Sequence, residues 1–211
     1  MKIVTPSFEI LHPALALTHR GIISQIEQAA RTCYKSEGLG AAVDPSEFVR
    51  RIVQVQHHES VIEHASVTVR FVCDRGVTHE LVRHRLAAYS QESTRYCNYG
   101  KERFGQEIAV IEPPGLNEDS RSCWFRACRG SEAEYLDMLT HGASPQIARS
   151  VLPTCLATTI VMTANLREWK HVFKLRTPKA AHPQIRALML PLFRAFCEYL
   201  PEIYDDMQVE Q

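Results

Sequence analysis

Residues Ala65 to Val72 (ASVTVRFV) alternate without interruption, with Val67, Val69 and Phe71 on one face and Ser66, Thr68 and Arg70 on the other. This is the period of a half-buried strand, whose apolar side must be covered by other elements. Thr158 to Ala164 (TTIVMTA) is β-branched and reads as a second strand, and Glu107 to Ile111 as a short third. The segments between them have helical length, and no regular βαβ alternation appears. The pattern predicts an α+β fold, a single domain over residues 1–211 with a mixed or antiparallel sheet packed by helices.

Several helices can be read locally. Pro45 to Gln56 predicts a helix capped by Ser46, with Phe48, Ile52 and Val55 at helical spacing, and His58 to His64 a turn. Gly76 to Arg85 is helical in pattern, followed by a less regular stretch from Leu86 to Tyr99. Asp119 to His141 has helical length, and Ser144-Pro145 looks like a cap and first helical position opening a short helix that carries Arg149. Asn165 and Glu168 have the form of a capping box, opening a helix with Trp169, Val172 and Phe173 on its apolar side. A last helix begins near Pro183, with Ile185, Leu188, Leu192, Phe196 and Leu200 in register and a kink expected at Pro191. The breaks at Gly38 to Pro45 and Pro113 to Glu118 are too short for domain linkers.

Composition removes some function classes. The 24 basic residues balance 24 acidic ones, so there is no global charge for nucleic acid or an anionic membrane, and any anion site must be local. Three Arg stand for every Lys, and the guanidinium fork suits phosphates and carboxylates. Cys33, Cys73, Cys97, Cys123, Cys128, Cys155 and Cys197 form neither a CxxC pair nor an even framework, which suggests a reducing cytoplasm. The N-terminal MKIVTPSFEI carries no signal-like apolar run, and no segment has the length of a membrane span. The histidines His57, His58, His64, His79 and His84 lack any HExxH or Cys/His ligand spacing, so no metal is expected.

The most unusual stretch is Arg83-His84-Arg85, seven residues, then Ser93-Thr94-Arg95-Tyr96. Taken alone, the basic triplet could offset a helix dipole. Ser93 and Arg95, two apart, would share one side of an extended segment and offer a hydroxyl and a guanidinium to one phosphate. Ser93 has no GxSxG elbow, which argues against a serine hydrolase. Asn165 has a sufficient role as a helix cap, and Arg167, His171 and Lys174 could be a solvated face. A capped helix start is also an anion site, so the two roles need not compete.

The string RHRLAAYSQESTRY resembles the signature of the flavin-dependent thymidylate synthases. Supporting similarities are HESVIEH at His58 to His64, Gln146-Ile147-Ala148-Arg149 with Leu152-Pro153, and Asn165-Leu166-Arg167 with His171 and Leu175-Arg176. Residues before His57 and between Lys101 and Ser144 carry little of it. Ala88 stands where Ser is frequent, Ser90-Gln91 where Asn-Glu is common, Glu80 where Gln is common, and His182 and Gln184 where Gln and Glu are common.

The resemblance implies methylation of dUMP, with methylenetetrahydrofolate as carbon donor, reduced FAD as hydride donor and NADPH recharging the flavin. It implies FAD contacts at Ser60, Arg83, His84, Arg85, Gln91, Asn165, Arg167 and His171. It implies dUMP contacts at Glu80, Arg83, Gln91, Ser93, Arg95, Arg149 and Arg176, with Arg176 beside the uracil as the catalytic cation. It also implies a homotetramer with shared active sites. A nucleic-acid module or a non-catalytic assembly protein are the competing classes, and bound flavin would separate them from the enzyme.

Overall fold

The computed structural model describes residues 1–11, 18–39 and 44–209. In chain order the elements are β1 (Lys2–Ile3), β2 (Ser7–Leu11), α1 (His19–Cys33), α2 (Pro45–Arg50), β3 (Ser66–Asp74), α3 (Arg75–Leu81), β4 (Ala87–Gln91), β5 (Ala109–Val110), α4 (Glu118–Thr140), α5 (Pro145–Ala148), β6 (Ala157–Asn165), α6 (Leu166–Arg176), α7 (Pro183–Tyr199) and α8 (Pro201–Tyr204). A four-stranded sheet has the order β2-β3-β6-β4, and β1 pairs in parallel with β5, Lys2 opposite Ala109. The α+β class is as predicted. The alternation in β3 is also as read, with Val67, Val69 and Phe71 buried.

Local readings differ in four places. Asp44, not Ser46, caps α2, because its carboxylate accepts the N–H groups of Ser46 and Glu47. The helix widens into a π turn over Arg51–Val55, and Glu59–His64 is a 3-10 turn. Helix α3 ends at Leu81, so Arg83, His84 and Arg85 lie beyond its last turn and do not serve its dipole. The stretch read as irregular after Leu86 contains β4, whose Ala, Ser and Gln residues hide a strand period. Strands β1 and β2 and helix α1 were not anticipated. Of the break at Gly38 to Pro45, residues 40–43 lie outside the described residues.

The chain groups into two compact units, the first holding residues 1–8, 70–83 and 89–161 and the second residues 9–69, 84–88 and 162–211. The first unit has a core of Ile108, Val110, Cys128, Tyr135 and Leu156, with Tyr99 donating its backbone N–H to the Tyr135 hydroxyl at 3.3 Å. The second unit is centred on aromatic rings: Phe196 lies 5.2 Å from Trp169, 5.0 Å from Phe173 and 5.3 Å from Tyr204 between centroids. Two polar anchors orient α6 in that core. The Trp169 indole donates to the Val67 carbonyl at 3.0 Å, and the Tyr204 hydroxyl to the Leu166 carbonyl at 2.9 Å. Each gives a buried polar tip a partner while its ring fills apolar space.

Candidate active site

In the first unit, the chain leaving β4 folds into a turn. Ser93 O accepts the N–H groups of Tyr96 and Cys97, and the Ser93 hydroxyl oxygen accepts the Arg95 N–H at 3.3 Å. The extended geometry expected for Ser93 and Arg95 is therefore corrected: a serine turn brings the hydroxyl and the Arg95 backbone together instead. This turn meets α5. The Arg149 guanidinium donates to the buried Thr94 hydroxyl at 3.4 Å, and Arg95 donates to the Gln146 side-chain oxygen at 3.5 Å. Two exposed guanidinium groups thus share one neighbourhood, each resting on a long contact to a neutral partner. Thr94 and Gln146 are contacts that the motif spacing did not single out.

Gln91 faces inward. Its amide donates to Thr78 at 3.1 Å and Thr158 at 3.4 Å, two buried hydroxyls, so its donors serve the sheet. Glu80 is half-buried on α3, and Arg83 is exposed just past it.

The second unit holds the remaining candidates. Asn165 caps α6, accepting the Glu168 N–H at 2.8 Å. The other half of the expected capping box is replaced: the Glu168 carboxylate lies 3.4 Å from His84 Nδ1. His84 is only 4% exposed, and its Nε2 accepts the Arg176 Nε–H at 3.1 Å. Burial, then the charges of Arg176 and His171, push the His84 imidazole down to about 4, so it is neutral at physiological pH. Burial pushes the Glu168 carboxyl up. His171 meets the His84 ring edge-on, with centroids 5.7 Å apart.

His84, Glu168 and His171 bring one ligand atom each within 4.8 Å of one another, the form of a metal trio among the described residues. Arg176 occupies the Nε2 lone pair, and a neutral imidazole then carries its proton on Nδ1. In that tautomer His84 has no lone pair for a cation.

The outer side of α6 carries Arg167, Lys170, His171 and Lys174, which recur at the spacing of one helix face. Rather than only facing bulk water, they line a cavity of about 640 Å³, together with Glu59 and Thr177. Lys170 pairs with Glu59 at 2.8 Å, and Arg167 pairs with Glu63 and, at 3.7 Å, with Glu59. Ser60 and Arg85 are exposed in this unit. Forked and ammonium donors around a cavity of this size fit an elongated ligand with a pyrophosphate, such as a flavin dinucleotide. Lys174 was legible only as helix-face periodicity, and Lys170 was not singled out by the sequence.

Residues 17–202 match the family described as thymidylate synthase complementing protein. The chain is 32% identical over 204 residues to the flavin-dependent thymidylate synthase of Mycobacterium avium, covering 87% of this chain and 79% of that one. It is 35% identical over 188 residues to that of Geobacter sulfurreducens, covering 84% and 78%. The crystal structure of the UMP/dUMP methylase PolB from Streptomyces cacaoi bound with 5-Br dUMP has a TM-score of 0.80 and covers 98% of this chain and 96% of that one. At 21% identity that likeness is one of fold. Among the described residues, no helix is long and apolar enough to cross a membrane.

Proposed function

The chain belongs to the thymidylate synthase complementing protein family, and from that premise we propose that it converts dUMP to dTMP as a flavin-dependent thymidylate synthase. Methylenetetrahydrofolate gives the carbon, and bound FAD, reduced by NADPH, supplies the hydride. The observation that carries the flavin assignment is the basic face of α6, Arg167, Lys170, His171 and Lys174 around one cavity.

On this reading, Ser60, Arg83, Arg85, Asn165, Arg167 and His171 hold the flavin, while His84 and Gln91, whose side-chain nitrogens are engaged by Arg176 and by Thr78 and Thr158, meet it through their remaining backbone or oxygen atoms. Ser93, Arg95 and Arg149 grip the nucleotide phosphate, and Glu80, Arg83 and Gln91 complete its pocket. Exposed guanidinium groups on long contacts to neutral partners support this, since they can exchange those contacts for a phosphate. Arg176 stands beside the uracil and stabilises negative charge on the ring as it is activated. It is half-buried and already held by His84, so little reorganisation is needed when charge develops. The enzyme works in the cytoplasm as a homotetramer with shared active sites, residues 1–211 acting as one functional domain, and it takes neither nucleic acid nor a metal.

The test is an anaerobic assay for dTMP from dUMP, methylenetetrahydrofolate and NADPH with added FAD. The purified protein should be yellow and should form dTMP. Arg167→Ala should fold and lose its flavin; an unmutated, folded protein that neither binds FAD nor makes dTMP would sink the reading, as would full flavin occupancy in a folded Arg167→Ala.

A further inference from the structure

We propose that Glu168 is a positioning residue for Arg176, acting through His84: its carboxylate fixes the proton of His84 on Nδ1 and so presents Nε2 as the acceptor that holds the Arg176 guanidinium.

The proposal stands on a line of three side chains. Arg176 Nε–H points at His84 Nε2 at 3.1 Å. An arginine can only donate, so this nitrogen must hold a lone pair. The imidazole proton is then on Nδ1, and Glu168 Oε1 lies within ion-pair distance of that nitrogen, at 3.4 Å. The His84 and Glu168 side chains are 2% and 7% exposed, so water does not readily take over either partner's role. Both ends of the line belong to α6, Glu168 in its first turn and Arg176 at its end, while His84 enters from the segment after α3. The imidazole therefore sits between two residues of one rigid helix, itself pinned by Trp169 and Tyr204.

The tautomer matters because the alternative reverses the contact. With its proton on Nε2, His84 would set an N–H against the Arg176 N–H, and the guanidinium would have to swing away. A carboxylate 3.4 Å from Nδ1 disfavours that state. Glu168 touches neither substrate nor the reacting atoms on this account. Its influence reaches Arg176 through orientation alone, as outer residues that hold a catalytic histidine in one tautomer do.

The idea rests on the preceding assignment of Arg176 to the uracil, so its test has two arms. Side-chain 15N spectra of the flavin-loaded enzyme, with His84 assigned by its loss in His84→Gln, read the tautomer directly. The Nδ1–H form is expected, and a slowly exchanging Arg176 Nε–H should accompany it. In Glu168→Ala, His84 should shift toward Nε2–H, the Arg176 Nε–H should exchange faster, and kcat should fall roughly 10- to 100-fold with a smaller rise in KM for dUMP. Glu168→Gln retains an acceptor and should recover most of that loss. An Nε2–H tautomer in the unmutated enzyme would overturn the proposal, whether or not any variant folds. So would unchanged Arg176 exchange and kcat in a folded Glu168→Ala. If the tautomer and exchange behave as expected while no dTMP forms in the unmutated enzyme, the assignment of Arg176 to catalysis fails and the positioning of Arg176 by Glu168 stands.

Discussion

Arg95 and Arg149 in the first unit and Arg176 in the second carry the same guanidinium into different settings. The first two are exposed and rest on Gln146 and Thr94 at 3.5 and 3.4 Å, contacts near the limit of a hydrogen bond. Arg176 is half-buried and bonded at 3.1 Å to an imidazole that is itself almost fully enclosed. A cation that must capture a diffusing phosphate gains from being exposed and loosely held. One that must meet charge appearing on a ring gains from being fixed before the reaction. On the proposed assignment the same residue type would serve capture in one unit and preorganisation in the other, and the difference lies in its partners.

The sharpest way to break this comparison is acid. His84 titrates near 6.5 when unfolded but is held down to about 4 in the fold, so as pH falls the unfolded chain takes up the proton first. The stability contributed by keeping His84 neutral is complete above about 6.5 and lost as pH drops toward about 4, by roughly 3 kcal/mol. Urea unfolding at a series of pH values should show this slope in the unmutated protein and not in His84→Gln, which separates it from carboxylate titration. Equal slopes would mean that His84 is not the enclosed neutral group on which the contrast depends.

The first unit should respond in affinity and hardly in stability. Arg95→Ala should weaken dUMP binding by about 2–3 kcal/mol, the range for a hydrogen bond to a charged group. Arg95→Lys should recover little, because a point charge cannot reproduce the paired contact. Ser93→Ala should cost less, about 1.5 kcal/mol, and leave measurable turnover. Its hydroxyl oxygen accepts the Arg95 N–H, and the neighbouring Arg95 side chain cannot act as a base at neutral pH. Steady-state kinetics with varied dUMP would check the order. If Ser93→Ala binds dUMP normally yet makes no dTMP, Ser93 has a chemical role and the first unit does more than capture.

How much of this was readable in the chain depended on the range of the interactions. Asn165 was legible as a cap because a capping residue and its acceptor N–H are three residues apart. Strand β3 was legible because burial of one face writes itself into alternation. Strand β4 was not, since Ala87, Ala88, Ser90 and Gln91 carry no such contrast, and its place beside β6 is set by distant pairing. The Ser93 turn was misread because a two-residue spacing is compatible with either an extended segment or a side-chain-closed turn. Glu168 was legible as half of a capping box, and only the three-dimensional approach of residue 84 gives its carboxylate a different partner. The signature pointed to both clusters, but it could not say which arginines would be held and which left exposed.

The smallest expected effect falls on Cys97, which stands beside the Ser93 turn and invites assignment as a nucleophile. A thiol attacks as its thiolate, and environments that make cysteines reactive lower the thiol's pKa with nearby cations or a helix start. Cys97 is subject mainly to the opposite influences: burial, then the negative charge of Glu92, raise its pKa, outweighing the lowering influences of Ser93, Arg103 and Arg75. Its side chain packs against the core of the first unit formed by Tyr99, Tyr135 and their neighbours. A residue so placed contributes packing, and serine preserves most of its volume while adding a more polar atom. Cys97→Ser should cost about 0.5–1 kcal/mol of stability, and dTMP formation should stay within about two-fold of the unmutated enzyme. The thiol should also alkylate slowly with iodoacetamide at neutral pH. Loss of all dTMP formation in a variant that still binds FAD and dUMP would restore a chemical role to Cys97 and give the first unit a reacting group as well as a grip on phosphate.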